Sequence, residues 1–141
     1  MTRRSSRPLV AAGAVATYLV GLFGVSAAGA TTPRAAPTAI LTCQSKAVVR
    51  PSSFVIACAD ANSYLQRIKW TSWGAASASA NAVYTANNCT PYCAAGKFIN
   101  YSARVTLSLP KTTKRGRLFT HLHVSYRSGT KWVPFNFSLL D

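Results

Sequence analysis

Hydrophobic and polar residues alternate most regularly in the C-terminal half of the chain. Over residues 103–109 and 118–126, apolar or bulky side chains occupy nearly every second position, with polar side chains between them. This alternation is typical of a strand with one buried and one solvated face. A third run at 132–140 alternates in the same way, and Pro134 predicts that this strand lies at the edge of its sheet.

Shorter apolar runs, separated by turn residues, come before these strands. Residues 40–43 and 54–57 flank a connection rich in proline and serine, so we predict that they pair as a hairpin. Residues 67–73 predict the next strand. Trp70 and Trp73 have opposite parity in it, and Trp73 is predicted to face outward or to sit at the strand end.

The whole pattern contains about seven short strands and no helix with a continuous apolar stripe. It therefore predicts an all-β domain, built as a small antiparallel β-sandwich or barrel. We expect this domain over residues 39–141. Residues 31–38 are rich in proline and lack large apolar side chains, and they predict a short disordered leader.

The first 30 residues have the organisation of a secretory signal peptide. Residues 1–8 contain three arginines and no acid, residues 9–25 are apolar or small, and Ala28-Gly29-Ala30 offers a cleavage site. We predict a signal helix that is removed after Ala30, with cleavage after Ala27 as the second choice, and a secreted protein. Because the apolar run is long for a signal peptide, an uncleaved membrane anchor is the alternative, and it would be the chain's one membrane contact.

Charge is the strongest compositional signal. The 141 residues include 16 Lys and Arg but two acidic residues, a formal net charge of +14. Without the three arginines of the signal segment, thirteen of the 16 basic residues remain against two aspartates, a net charge of +11. Such an imbalance concerns solubility and partners rather than fold. It predicts binding to anionic cell-envelope polymers or other extracellular polyanions, and a solubilising role is the alternative.

One segment concentrates this charge. Four basic residues fall within seven positions, with no acid nearby, and such a loop can hold phosphate-type anions without reading a nucleic-acid sequence. A solvated hairpin tip is the alternative interpretation. Trp73 joins these four basic residues as an aromatic side chain that is predicted to be exposed. The predicted ligand-binding residues are therefore Lys111, Lys114, Arg115, Arg117 and Trp73.

The four cysteines all follow the signal segment. An even number in a small exported chain predicts disulfide bonds rather than metal ligation. Of the three possible pairings we favour Cys43–Cys58 with Cys89–Cys93. A four-cysteine zinc site is the alternative, but it needs two close pairs and the chain has one.

Most catalytic chemistries lack their residues here. Asp60 is the one side-chain carboxylate besides Asp141, which excludes acid–base pairs of carboxylates, and Asp60 itself fits a turn. The chain has no phosphate-binding glycine loop, nucleophile elbow or zinc-protease motif. His121 and His123 share a strand face, but a metal would need a third ligand, which we expect only from Asp60 or a free cysteine. We predict no catalytic residue, metal site or cofactor.

Three sequence motifs follow one another along the chain. They are Cys58-Ala-Asp-Ala-Asn-Ser-Tyr-Leu, Trp70-Thr-Ser-Trp-Gly74 and Asn88-Cys-Thr-Pro-Tyr-Cys-Ala-Ala-Gly96. With these motifs the chain resembles an uncharacterised family of small secreted bacterial proteins, and the resemblance extends over residues 40–128. The resemblance implies an exported, disulfide-bonded single domain and implies no activity. Arg67 and Lys69 stand where that family is more often neutral, and the histidine pair is not one of its features.

Together these features predict a secreted binding protein without enzyme activity, whose ligand is an anionic polymer. Two alternatives belong to other classes. A small basic nuclease would use His121 and His123 with a nearby lysine as acid and base. A carbohydrate-binding module would use exposed tryptophans as a sugar platform.

Overall fold

The computed structural model describes residues 36–140 and consists almost entirely of antiparallel β-strands. The predicted signal helix and most of the predicted leader lie outside the described residues. One 3₁₀-helix, Cys93–Ala95, is the single helical element within them. The strands are β1 (Ile40–Leu41), β2 (Ala47–Val48), β3 (Phe54–Val55), β4 (Ser63–Trp73), β5 (Ala78–Asn87), β6 (Phe98–Thr113), β7 (Gly116–Ser128) and β8 (Lys131–Ser138).

Strands β3 to β8 form one six-stranded sheet in chain order, each strand antiparallel to the next. The sheet curls into a half-barrel, and β1 and β2 form a separate two-stranded sheet. A parallel bridge between Ala39 and Leu118 attaches the start of β1 to β7. The predicted all-β class is therefore confirmed. Pro134 lies on β8, which is an edge strand as expected.

The core packs against one face of the curled sheet. On β5 its inward positions are alanines: Ala78 and Ala80 lie opposite Trp73 and Trp70 of β4. Their small side chains leave room for the two indole rings, which explains why this strand carries no large residue at these positions. The buried core consists of Ile40, Phe54, Ile56, Leu65, Ile68, Ala78, Ala80, Ala82, Ala103, Val105, Leu107, Phe119, Leu122 and Val124.

The predicted hairpin between residues 40–43 and 54–57 is wrong. β1 pairs instead with β2, and β3 pairs with β4. A tight turn explains the difference, since the Thr42 amide donates to the Lys46 carbonyl at 2.9 Å and Ser45 adopts a φ of 59°. A non-glycine residue in this left-handed region is uncommon, so the sequence offered no usual turn signal here.

Strict alternation also fails along β4. Two register shifts against β5 occur, one between Gln66 and Lys69 and one between Trp70 and Ser72, and Arg67 has a φ of 53°. Each shift changes which side chains face inward. Both Trp70 and Trp73 consequently point to the core side, and Trp73 is the last residue of the strand.

The long strands β6 and β7 meet in a tight hairpin. The predicted polar connection at 110–117 is mostly strand, and only Lys114 and Arg115 form the turn between Thr113 and Gly116. Gly116 has a φ of 101°, a conformation that favours glycine. The four basic residues of this segment therefore stand on a rigid hairpin rather than on a loose loop.

Both predicted disulfides are confirmed. Cys43 bonds Cys58 with a Cα separation of 5.4 Å, and Cys89 bonds Cys93 with a separation of 3.7 Å. No cysteine is free among the described residues, so the four-cysteine zinc alternative is wrong. Two disulfides in so small a domain indicate an oxidising environment. Within residues 36–140, no helix has the length and apolar character needed to cross a bilayer.

Candidate functional site

The turn between β6 and β7 presents the predicted ligand-binding cations to solvent. We call Lys111, Lys114, Arg115 and Arg117 the basic hairpin, and all four side chains are exposed. Thr113 stabilises the turn locally: its hydroxyl donates to the Gly116 carbonyl at 2.9 Å and accepts from the Arg115 amide at 3.1 Å. The cations are thus placed on a backbone that is fixed by its own hydrogen bonds.

A contact from the N-terminal part of the domain, the turn between β1 and β2, enlarges this basic surface. Arg115 donates from Nη1 to the carbonyl oxygen of Ser45 at 2.7 Å. The next residue in the β1–β2 turn is Lys46, which is exposed, and its amide donates to the Thr42 hydroxyl at 3.2 Å. Lys46 is therefore a fifth cation beside the basic hairpin. The sequence gave no reason to single it out, because 70 residues separate Ser45 from Arg115.

Trp73 and Arg117, both predicted ligand-binding residues, lie together at one cavity. Its volume is about 460 Å³, and Arg117 donates from Nε to the Ala75 carbonyl at 3.4 Å across its rim. The indole of Trp73 donates to the Thr38 carbonyl at 2.8 Å. The residues lining the cavity are Ala36, Pro37, Thr38, Trp73, Gly74, Ala75 and Arg117. Lys111, Lys114 and Arg115 are not among them.

Trp73 is only partly available to a ligand. Its ring packs edge-on against Trp70, with centroids 4.4 Å apart, and against Phe119 at 5.6 Å. It is half-buried, so it contributes one wall of the cavity rather than a free platform. A flat sugar platform built on this side chain would need more exposed ring.

Thr38 belongs to the folded domain, one residue before its predicted start. Its side chain is buried, with 1% of its surface exposed, and its hydroxyl donates to the Ala75 carbonyl at 2.9 Å. Because its carbonyl also accepts from Trp73, Thr38 closes one side of the cavity. The end of the predicted leader therefore forms part of the candidate site.

A second cavity, of about 550 Å³, lies beside β3 and β4. Its lining includes Cys43 of the first disulfide and the ring of Tyr64, but no charged side chain. It does not have the chemistry for an anionic ligand, in contrast to the cavity at Arg117. We do not assign it to the candidate site.

The charged side chains of the described domain are almost all positive. Every Lys and Arg side chain in residues 36–140 is exposed, and Asp60 is the one acidic residue in this range. Asp60 accepts hydrogen bonds from the backbone amide of Asn62 at 3.0 Å and from its side-chain amide at 2.8 Å. These bonds lower the pKa of Asp60 and confirm its predicted role in a turn.

The two histidines share one face of β7, as predicted. Nε2 of His121 lies 3.1 Å from Oδ1 of Asn136, and Nδ1 of His123 lies 2.9 Å from the same oxygen. No cluster of three or more His, Cys, Asp or Glu residues suited to a metal occurs in the described residues. Asn136 was not predicted as a site residue, and only the β7–β8 register, which sets it opposite His123, reveals it.

The third tryptophan is the most exposed of the three. Trp132 on β8 exposes 41% of its surface, and the guanidinium of Arg104 lies 4.4 Å from the centre of its ring. Trp70 and Trp73 point toward the core. The carbohydrate alternative therefore has one exposed indole in the described part of the chain, and a cation already covers it.

Comparisons with protein-family models, with curated proteins and with solved structures find no match to this chain. The resemblance to an uncharacterised secreted family stays a prediction. Its motif residues have structural roles here: Asp60 forms a turn, Trp70 packs in the core, and Cys89 bonds Cys93. Function must be argued from the basic surface itself.

Proposed function

We propose that the protein is a secreted, non-enzymatic binding protein for anionic cell-envelope polymers, which it holds on the basic hairpin and Lys46. The observation that carries the proposal is the hydrogen bond from Arg115 to Ser45. It joins two turns from distant parts of the chain into one surface of exposed cations. A solubilising charge would need no such fixed arrangement.

The chemistry of this surface suits repeated phosphate or carboxylate groups. Arg115 and Arg117 each use one nitrogen in a bond to a backbone carbonyl, which leaves further donors for a ligand. A guanidinium binds such anions in a two-pronged geometry, and Lys111 and Lys114 add compact charges beside it. Nothing on the hairpin reads bases, so the proposal does not include specific nucleic-acid recognition.

The cavity at Arg117 supports a contact with a single unit of the polymer. Trp73 provides an apolar wall, and Arg117 provides a positive charge at the rim. A sugar ring that carries an anionic group has both complementary parts, because its apolar carbon face packs against aromatic side chains. The rest of the polymer would continue across the exposed hairpin.

Export is part of the proposal. The two disulfides support an oxidising location, and the signal-like residues 1–30 offer the route. The mass of the protein recovered from a culture medium tests this directly. A mature chain that begins at Thr31 is expected, and a full-length chain found only in the cell membrane would contradict export by cleavage.

Charge reversal tests the binding proposal, and the chain offers a matched control. β6 has 16 residues and spans roughly 50 Å, so its two ends are well separated. Lys111→Glu with Lys114→Glu changes the basic hairpin, whereas Lys97→Glu with Lys131→Glu makes the same charge change at the opposite end. Affinity of the parent for purified anionic wall polymer should fall steeply with added salt. Of the two double variants, only the one in the basic hairpin should bind the polymer more weakly than the parent. Equal losses in both variants, or salt-insensitive binding, would show that the hairpin is not the site.

The geometry of the histidines favours binding over the nuclease alternative. His121 and His123 converge on one oxygen of Asn136, so they do not flank a space that a phosphate could enter. An acid and a base for phosphodiester cleavage act from opposite sides of that group. RNA cleavage by the pure protein, with loss in a His121→Ala variant, would restore the nuclease.

A further inference from the structure

Two imidazole nitrogens and one amide oxygen meet on the outer face of the sheet. Nε2 of His121 and Nδ1 of His123 lie 3.1 and 2.9 Å from Oδ1 of Asn136. We propose that these three atoms form a binding site for a divalent transition-metal ion, with Cu²⁺ bound most tightly. The site is separate from the basic hairpin and does not depend on the proposed function.

The sheet itself positions the three donors. His121 and His123 are two residues apart on β7, so both side chains point to the same face. Asn136 lies directly opposite His123 in the β7–β8 register. Register in an antiparallel pair is fixed along the whole ladder, so the third donor is held by eight paired positions rather than by a mobile loop.

These donor types select the metal. Imidazole nitrogen suits Cu²⁺, Ni²⁺ and Zn²⁺, and for a fixed set of nitrogen and oxygen ligands Cu²⁺ binds most tightly. Three protein ligands leave the remaining positions of the ion to water. Since no carboxylate contributes, hard ions such as Ca²⁺ and Mg²⁺ are poorly matched.

The surroundings of the site are neutral, which matters in a chain of such positive charge. Directly opposite the two histidines on β6 lie Thr106 and Ser108, both uncharged. The next cation along β6 is Arg104, and its guanidinium lies over the ring of Trp132 at 4.4 Å. Arg104 lies in the same row of the sheet as Pro134 of β8. On β8, Trp132 lies on one side of Pro134 and Asn136 on the other. Because Arg104 extends toward Trp132, it points away from the histidines.

An imidazole binds a metal ion through a ring nitrogen that carries no hydrogen, so in the metal-bound state any hydrogen on Nε2 of His121 or Nδ1 of His123 moves to the other nitrogen of the same ring. Bonds from a divalent ion to imidazole nitrogen are about 2.0–2.1 Å long, so two donor atoms roughly 90° apart around the ion lie roughly 2.9 Å from each other. The present separations of 3.1 and 2.9 Å between the imidazole nitrogens and the amide oxygen are close to that spacing. Both histidines are half-buried, so their side chains remain accessible to an ion from solvent.

Titration of the disulfide-bonded protein with Cu²⁺ tests the proposal. Calorimetry should show a site that binds one ion per chain, and electron paramagnetic resonance should show coupling to two imidazole nitrogens. The double variant His121→Ala with His123→Ala should lose this site. Each single variant should weaken Cu²⁺ binding by more than roughly 100-fold, since changes to residues that only support the ligands cost about 10–100-fold. Copper binding that is unchanged in the double variant would overturn the proposal.

Asn136 is tested by adding charge at its position. Asn136→Asp supplies a carboxylate ligand and should tighten Cu²⁺ binding, whereas Ser102→Asp puts the same charge on the same face of the sheet, four residues along β6 from Thr106 and out of reach of the two histidines. Asn136→Ala should weaken binding. Equal effects of the two aspartates would remove Asn136 from the ligand set. Urea unfolding of each variant should have the same midpoint as that of the parent, since these are surface changes, and this excludes loss of fold as the cause.

Discussion

The carbonyl oxygen of Ser45 accepts a hydrogen bond from Nη1 of Arg115 at 2.7 Å, although 70 residues separate them. This contact continues an attachment that begins at Ala39, whose amide donates to the Arg117 carbonyl and whose carbonyl accepts from Phe119, both at 2.9 Å. The start of the domain is thereby held along the strand that carries the basic hairpin. The position of this N-terminal segment determines where Lys46 lies.

Replacing Arg115 should separate its binding role from its structural one. Arg115→Ala removes one exposed hydrogen bond, so unfolding free energy should fall by no more than about 1 kcal/mol. Affinity for anionic wall polymer should fall clearly, because both a cation and the link to Lys46 are lost. Arg127→Ala is the matched control, since Arg127 is also exposed and donates to a backbone carbonyl, that of Gly129 at 3.1 Å.

Binding that is equally weak in both arginine variants would show that net charge alone controls affinity. Arg115→Lys refines the test, because it keeps the charge but loses the planar fork. An affinity between those of the parent and Arg115→Ala is expected from titration at fixed salt.

The two disulfides should contribute unequally to stability. The Cys43–Cys58 bond joins residues 15 apart, and the Cys89–Cys93 bond joins residues four apart. In the chain-entropy account, these closures stabilise the fold by about 3 and about 2 kcal/mol. Replacing each pair by serine and following urea unfolding should therefore show the larger loss for the first pair. A larger loss for the second would mean that the 89–93 loop supports the fold by contacts rather than by closure.

Much of this fold could be predicted from sequence, because its long strands are amphipathic. β6 buries every second residue over 103–107, and β7 does so over 122–124, although Leu118 and Phe119 are adjacent in β7 and both buried. The favoured disulfide pairing, one of three possible, is the one observed. The hairpin at β1 could not be predicted, because Ser45 takes a left-handed conformation that glycine or asparagine would normally signal.

The candidate sites were only partly predictable, for a related reason. The basic hairpin is local in sequence, so its four cations could be named. Lys46 and Asn136 join their sites through pairing with distant residues, which a single sequence does not reveal. Trp73 was expected to face outward or to sit at a strand end. It is the last residue of β4, but two register shifts in that strand place it on the core side. Such shifts have no reliable pattern in one sequence.

Phe119 should be the side chain on which the Trp73 cavity most depends. It is fully buried, and its ring lies 5.6 Å from that of Trp73 in an edge-on arrangement. Phe119→Ala should lower the free energy of unfolding by about 3–5 kcal/mol, measured in urea by tryptophan fluorescence. Phe98→Ala is the control, since half of Phe98 is exposed, and it should cost far less. Similar losses in the two variants would contradict this view of the core.

The protein should lose stability in alkaline solution because of Tyr84. Burial raises the pKa of Tyr84 above 10.0, and the nearby phenols of Tyr126 and Tyr101 raise it further. Ring centroids of Tyr84 and Tyr126 are 5.0 Å apart, so a phenolate at position 84 would lie in a poorly solvated cluster. The unfolded chain therefore releases this proton at a lower pH than the folded one.

The sign of the effect follows from proton linkage. Below pH 10 both states keep the proton and the group has no effect on stability with pH. As pH rises above 10, the unfolded state binds fewer protons than the folded state, so the free energy of unfolding falls. Tyr84→Phe should make this alkaline fall shallower in urea titrations from pH 9 to 11, while the exposed Tyr92→Phe control should leave it unchanged. A slope that is identical in the parent and in Tyr84→Phe would show that Tyr84 does not cause the alkaline loss.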